Sequence, residues 1–233
     1  MMNKPLGRRN IPTVLQSFGR HLVYAEGSKT EPLYVKDLRL FVSEELGVKE
    51  SDIEIIPVPT NKSNHTLDLV NFAISDVDKR RRKGETIDYV WIFYDKDDYL
   101  DFDKAYKLII SQNEKNSDAD AFGTSWKACW SNECFEVWVY HYFENLQSSI
   151  DRNQYIPKIN AFLKKNGCKE TYSKTKSDLH HFLTSFGGDI RQATKFMKNK
   201  DVESDIKPNP SSGVYQFAEY LLVYIDNKGN IVK

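Results

Sequence analysis

Two short apolar runs in this chain end in carboxylates. Tyr89-Val-Trp-Ile-Phe-Tyr94 is apolar or aromatic throughout and is followed at once by Asp95, Lys96, Asp97 and Asp98. His21-Leu-Val-Tyr-Ala25 ends in Glu26 and Gly27. Carboxylate oxygens are hard ligands. Several of them confined together repel unless a cation neutralises them, and magnesium is the usual partner, held by one or two carboxylates with waters and substrate phosphates. Glu26 then suits a general base or acid, or a further ligand. A metal there would polarise a phosphodiester and stabilise the leaving oxygen. The same residues also serve turns, because Asp caps helices and tightens loops. Lys29 and Lys96 are placed to offset phosphate charge, although lysines beside acids are common on any surface.

The two runs must be neighbouring strands for this chemistry to assemble. An uninterrupted run rich in β-branched and aromatic residues suits a strand buried on both faces of a parallel sheet. Ligands of such sheets bind just beyond the carboxyl ends of the strands. After His21–Ala25, Gly27 allows a tight turn or a positive φ, and Thr30 is a candidate helix cap with Pro32 in the first turn. Leu33, Val35, Leu38, Leu40, Phe41 and Leu46 supply the apolar face of a helix ending near Gly47. Gly27-Ser-Lys-Thr30 is not a Walker A loop, which needs a glycine directly before the lysine and another upstream. Ile53 to Val58 reads as a second strand, with Pro57 and Pro59 marking an edge or an early end. Leu67, Val70, Ile74 and Val77 have helical spacing, and that helix closes in Lys79-Arg-Arg-Arg-Lys83. Those cations complement the helix dipole or, alternatively, contact a phosphate backbone.

Beyond the Asp cluster, a short helix from Phe102 to about Ile110 and a polar linker, Ser111 to Asp120, lead to a last strand within Ala121–Trp130. Ser131 or Asn132 can cap the next helix, with Glu133 in its first turn. That helix, Val137 to about Leu146, is aromatic on nearly every face and therefore buried. Helices are expected over Tyr155–Lys165, Lys176–Phe186, Asp189–Asn199 and Val214–Tyr224. Successive strand–helix units make a doubly wound α/β sheet the economical architecture. Residues 1–16 read as a loose basic leader, 17–130 as the α/β core, and 131–233 as a helical region packed on it.

The 233 residues are 40% hydrophobic and 13% aromatic, enough for a real core, and 33 basic residues balance 33 acidic ones. Net charge thus gives no argument for nucleic acid or membrane. Three cysteines, without a paired Cys-x-x-Cys, argue against a disulfide framework or a zinc site and for a reducing compartment. No apolar stretch approaches the ~20 residues of a membrane helix, and no secretory signal is expected. The expectation is a cytoplasmic protein.

A Glu after the first strand and an Asp-x-Asp after a later buried strand resembles the Toprim pattern of topoisomerases, primases and related nucleases. More closely, the chain resembles the RloB family, linked to bacterial restriction or abortive-infection loci. The matching blocks are Tyr24-Ala-Glu26-Gly-Ser-Lys-Thr-Glu31-Pro-Leu-Tyr34 and Val90-Trp-Ile-Phe-Tyr-Asp95-Lys-Asp97-Asp98. Ser131-Asn132-Glu-Cys-Phe135-Glu136-Val-Trp138 with His141, Tyr172-Ser-Lys174 and Asn209-Pro-Ser-Ser212 follow in order. The resemblance implies a Toprim-like fold with a C-terminal helical lobe. It makes Glu26 the acid/base residue and Asp95 and Asp97 the Mg2+ ligands, with Mn2+ as the alternative ion and Asp98 a candidate for a further acidic position. Lys29, Glu31, Asn132, Glu136 and Lys174 would line the same pocket. The implied activity is a nuclease acting on RNA, transfer RNA among the candidates, or on DNA, as effector of an anti-phage system. An AAA or ABC-like ATPase partner is implied, and a homo-oligomer is left open. The competing expectation is a non-catalytic module that binds such an ATPase or a phage protein.

Overall fold

In the computed structural model, residues 17–59, 61, 65–96, 101–117, 123–200 and 208–228 are described. The expectations for residues 1–16, Asp97 and Asp98 lie outside them. Five strands form one sheet in the order β2-β1-β3-β4-β5: β1 is His21–Ala25, β2 Ile53–Ile55, β3 Tyr89–Asp95, β4 Ser125–Asn132 and β5 Ser211–Ser212. The first four are mutually parallel, and β5 pairs antiparallel with the end of β4. The α-helices are α1 (Thr30–Leu46), α2 (Thr66–Arg82), α3 (Phe102–Ser117), α4 (Glu136–His141), α5 (Tyr155–Lys165), α6 (Leu179–Ser185), α7 (Ile190–Lys198) and α8 (Tyr215–Asp226).

Alternation along the central strands divides the apolar interior in two. Leu22, Tyr24, Val90, Ile92, Tyr94, Trp126 and Trp130 face α2 and α3. Val23, Ala25, Trp91, Phe93 and Cys129 face α1 and the later helices. A strand with period-two geometry sends successive side chains to opposite faces, so an unbroken apolar run needs helices on both sides. The chain leaves β1 over one face to reach β2 and returns over the other face to β3, which makes the β1/β3 boundary the topological switch point.

The second strand is an edge, as its prolines indicate, and ends at Ile55 instead of Val58. The expected linker after Ile110 is helical up to Ser117, because Asn113 is anchored: its Oδ1 accepts from the Trp126 N–H at 2.8 Å and its Nδ2 donates to the Trp126 carbonyl at 3.1 Å. Ser131 and Asn132 are not helix caps. They extend β4 and pair with β5, and Glu133 stays outside α4, accepting from Asn209 Nδ2 at 3.1 Å. The aromatic helix is shorter than its pattern and stops at His141. Its last turn tightens through Tyr142 N–H to Val139 O and Phe143 N–H to Tyr140 O, and the Tyr142 carbonyl is taken by the Asp189 N–H. Of the basic cluster, Arg80 pairs with Asp76, Glu54 and Glu85, and Arg81 donates to Thr124. Arg20, just before β1, joins Glu54 and Glu85 in this network, at the opposite end of the sheet from Glu26 and Asp95. Arg80 and Arg81 tie α2 to the strands.

Three buried histidines each place one ring nitrogen within hydrogen-bonding distance of a polar partner. Trp91 Nε1 donates to His21 Nδ1 at 3.0 Å, Tyr142 Oη lies 3.1 Å from His180 Nδ1, and Lys200 Nζ lies 3.3 Å from His141 Nε2. Burial pushes each imidazole down from 6.5 to about 4. The unfolded chain therefore takes up these protons first. Their contribution to stability is complete above pH 6.5 and is lost as pH falls toward about 4, at about 1.4 kcal/mol per pH unit for each histidine. Denaturant midpoints measured between pH 7 and pH 5 should fall steadily, and a flat profile would refute the neutral, buried assignment.

Candidate functional site: an acidic crevice at the switch point

Glu26 follows β1 and Asp95 ends β3, and these strands pair in parallel. The Glu26 N–H donates to the Phe93 carbonyl at 2.9 Å, and the Asp95 N–H donates to Glu26 Oε2 at 3.3 Å. The half-buried Glu26 carboxylate thus lies against the backbone of half-buried Asp95, at the carboxyl ends of adjacent strands. The structure brings together this pair, which lies far apart in sequence.

Gly27 does not adopt a positive φ. Its lack of a side chain leaves room for Glu31 instead: a Cβ there would displace Oε2 of Glu31. Glu31, in the first turn of α1, is only 7% exposed. Burial pushes its carboxyl above the ordinary carboxylate value, its own backbone N–H pulls it back, Glu136 raises it and Lys174 opposes that rise. Thr30 is not a side-chain cap; its hydroxyl donates to the Lys174 carbonyl at 3.1 Å.

Glu136 opens α4 and is 2% exposed. Its carboxylate accepts from Tyr172 Oη at 3.0 Å and from Lys174 Nζ at 3.2 Å, with the ammonium 3.1 Å from the other oxygen. Burial alone would lower Lys174, but Glu136, then Cys134 and Asp95, hold it above its ordinary value. Burial, then Glu136 and Asp95, push the Cys134 thiol up, and burial, Glu136 and Glu31 do the same for the Tyr172 phenol. Asp95, Lys174, Glu136 and Glu31 therefore form one electrostatic neighbourhood, and Glu26 borders it through the Asp95 N–H. Tyr172 is a site residue that residue types alone did not reveal. Its signal is the Tyr-x-Lys spacing, because alternate residues of an extended segment share a face.

Other expected site residues sit differently. Asn132 is buried at the end of β4 and pairs with Ser211. Lys29 is exposed at the N-cap position of α1. The Lys96 ammonium lies over the Phe102 ring at 5.1 Å, and its N–H donates to the Ser131 carbonyl at 2.7 Å.

The helices that carry the buried acids are locked to each other. Trp138 Nε1 donates to Tyr34 Oη at 2.7 Å, and Tyr34 Oη lies 2.7 Å from Tyr142 Oη. An indole N–H can only donate, so Tyr34 Oη accepts from Trp138, and the chain continues through the Tyr34–Tyr142 contact to His180 Nδ1, 3.1 Å from Tyr142 Oη. This chain fixes Glu31, one turn before Tyr34, against Glu136, just before Trp138.

Among the described residues, no three His, Cys, Asp or Glu side chains gather as a metal-ion cluster. The hard oxygens of Glu26 and Asp95 still suit a divalent cation that keeps most of its waters and takes one or two protein carboxylates.

The fold and this crevice define an α/β protein with an acidic site where the strand order reverses. The chain belongs to the RloB-like family, whose model, described as RloB-like protein, matches residues 21–221. No curated protein and no solved structure shows a match.

If Gly27 and Glu31 are matched for space, Gly27→Ala should destabilise the protein by about 1–3 kcal/mol, the range for overpacking. In a Glu31→Ala background the same substitution should cost little. A double-mutant cycle on thermal or denaturant stability reads this coupling directly, and additive effects would refute the match.

Proposed function

We propose that this chain is a Toprim-like, divalent-cation-dependent phosphodiesterase acting on RNA, transfer RNA included, or on DNA. The observation that carries the reading is the pairing of Glu26 with Asp95 at the β1/β3 switch point. Glu26, Asp95 and Asp97 would hold Mg2+ or Mn2+, which when bound supplies charge stabilisation to the phosphodiester and its leaving oxygen. Glu26 would take a proton from the attacking water as the water oxygen bonds to phosphorus, and the P–O bond to the leaving group would break as that oxygen takes a proton from solvent. Asp95 orients Glu26 through its backbone N–H. Glu31 and Glu136 shape the wall of the crevice, and the Lys174 ammonium supplies positive charge at its rim.

In this reading the protein works in the cytoplasm as an anti-phage effector with an AAA or ABC-like ATPase as partner. Three buried free thiols are compatible with a reducing compartment. No helix among the described residues is long and apolar enough to cross a membrane.

Calorimetry with Mn2+ should show binding by the wild type that is lost in Asp95→Ala/Asp97→Ala. Labelled RNA and DNA should be cut only with the metal present. Glu26→Ala should slow scission by about 10²–10⁴-fold, the range for a general acid or base, while sparing assembly with a partner. Undiminished scission by Glu26→Ala would refute its role. Absence of any metal binding would favour a non-catalytic partner module.

A further inference from the structure

The chain brings a cation of its own into the acidic crevice. The backbone around Lys174 is held firmly: Thr30 Oγ1 donates to its carbonyl at 3.1 Å, the Tyr172 N–H donates to Asn160 Oδ1 at 2.7 Å, and Tyr172 Oη donates to Glu136. The Lys174 side chain, by contrast, is 53% exposed although its ammonium touches a carboxylate that is 3% exposed. It is an exposed charge on a fixed base. The ammonium contacts both Glu136 oxygens and also feels Asp95, whose backbone N–H holds the Glu26 carboxylate at the switch point.

An ammonium in this position offsets the mutual repulsion of Glu136, Glu31 and Asp95. It also repels any second cation that enters the same crevice, and Coulomb energy between a unit and a double charge is large at short range. We propose that Lys174 is a built-in counter-cation: it competes with the divalent ion for the crevice, leaves Glu136 when that ion binds, and so sets the metal affinity of the site. The inference rests on the divalent-cation reading above. It differs from a purely structural role for the Glu136–Lys174 pair in the sign of its effect, since removing a structural contact gives no reason for metal to bind more tightly.

The test is Mn2+ binding to the full chain by calorimetry, with thermal midpoints confirming that each variant is folded. Lys174→Gln should tighten Mn2+ binding by about tenfold, and the gain should shrink as KCl screens the charges. Lys174→Arg, which keeps the charge, should bind Mn2+ as the wild type does. Equal or weaker binding by Lys174→Gln overturns the inference and leaves the metal reading standing. No binding by either protein removes both. A second measurement needs no variant: in the wild type, Mg2+ should speed acylation of the Lys174 amine by an amine-reactive reagent, followed by peptide mass spectrometry. An unchanged rate with metal bound also overturns the inference.

Discussion

The concentration of negative charge at the ends of β1 and β3 is the constraint on which the surrounding structure depends. Glu26 and Asp95 are brought together by strand pairing, and Glu31 and Glu136 are buried close by. An isolated carboxylate taken out of water is strongly penalised, so each must find donors, a counter-charge or a proton. The fold provides all of these. Asp95 N–H serves Glu26, Tyr172 and Lys174 serve Glu136, and burial drives Glu31 toward its protonated form.

Several features otherwise unrelated follow from this need. Gly27 lacks a side chain because the Glu31 carboxylate occupies that space. The irregular segment between α5 and α6 is pinned at Asn160, Thr30 and Glu136 because it carries the donors that the acids require. The Trp138–Tyr34–Tyr142–His180 chain runs through the core and leaves α1 and α4 little freedom to move their acids apart. Rigid scaffolding of this kind keeps buried polar groups satisfied, and a partly satisfied network would be worse than an apolar core.

Much of the fold was legible along the chain. The unbroken run Tyr89–Tyr94 marks a central strand, the prolines after Ile56 mark an edge, and Leu67, Val70 and Val77 mark a helix, because these patterns are local and periodic. Where the pattern failed, a distant group had intervened. Asn113 bonds to Trp126 and keeps a polar segment helical, while Asp189 takes a carbonyl of Tyr142 at the end of a helix that apolar character alone would prolong. Ser131 and Asn132 have good capping side chains, yet β5 recruits them into the sheet.

The sequence by itself determined which residues are acidic, that Glu26 and Asp95 each follow a buried strand, and that helices must cover both faces of the sheet. Only the tertiary structure decided that those two strands are adjacent, that Glu31 and Glu136 share one neighbourhood, and that Tyr172 and Lys174 come to meet them. The physical reason is range. Side-chain periodicity and turn chemistry act over a few residues, whereas charge compensation in a buried site depends on distances in space that chain order does not encode.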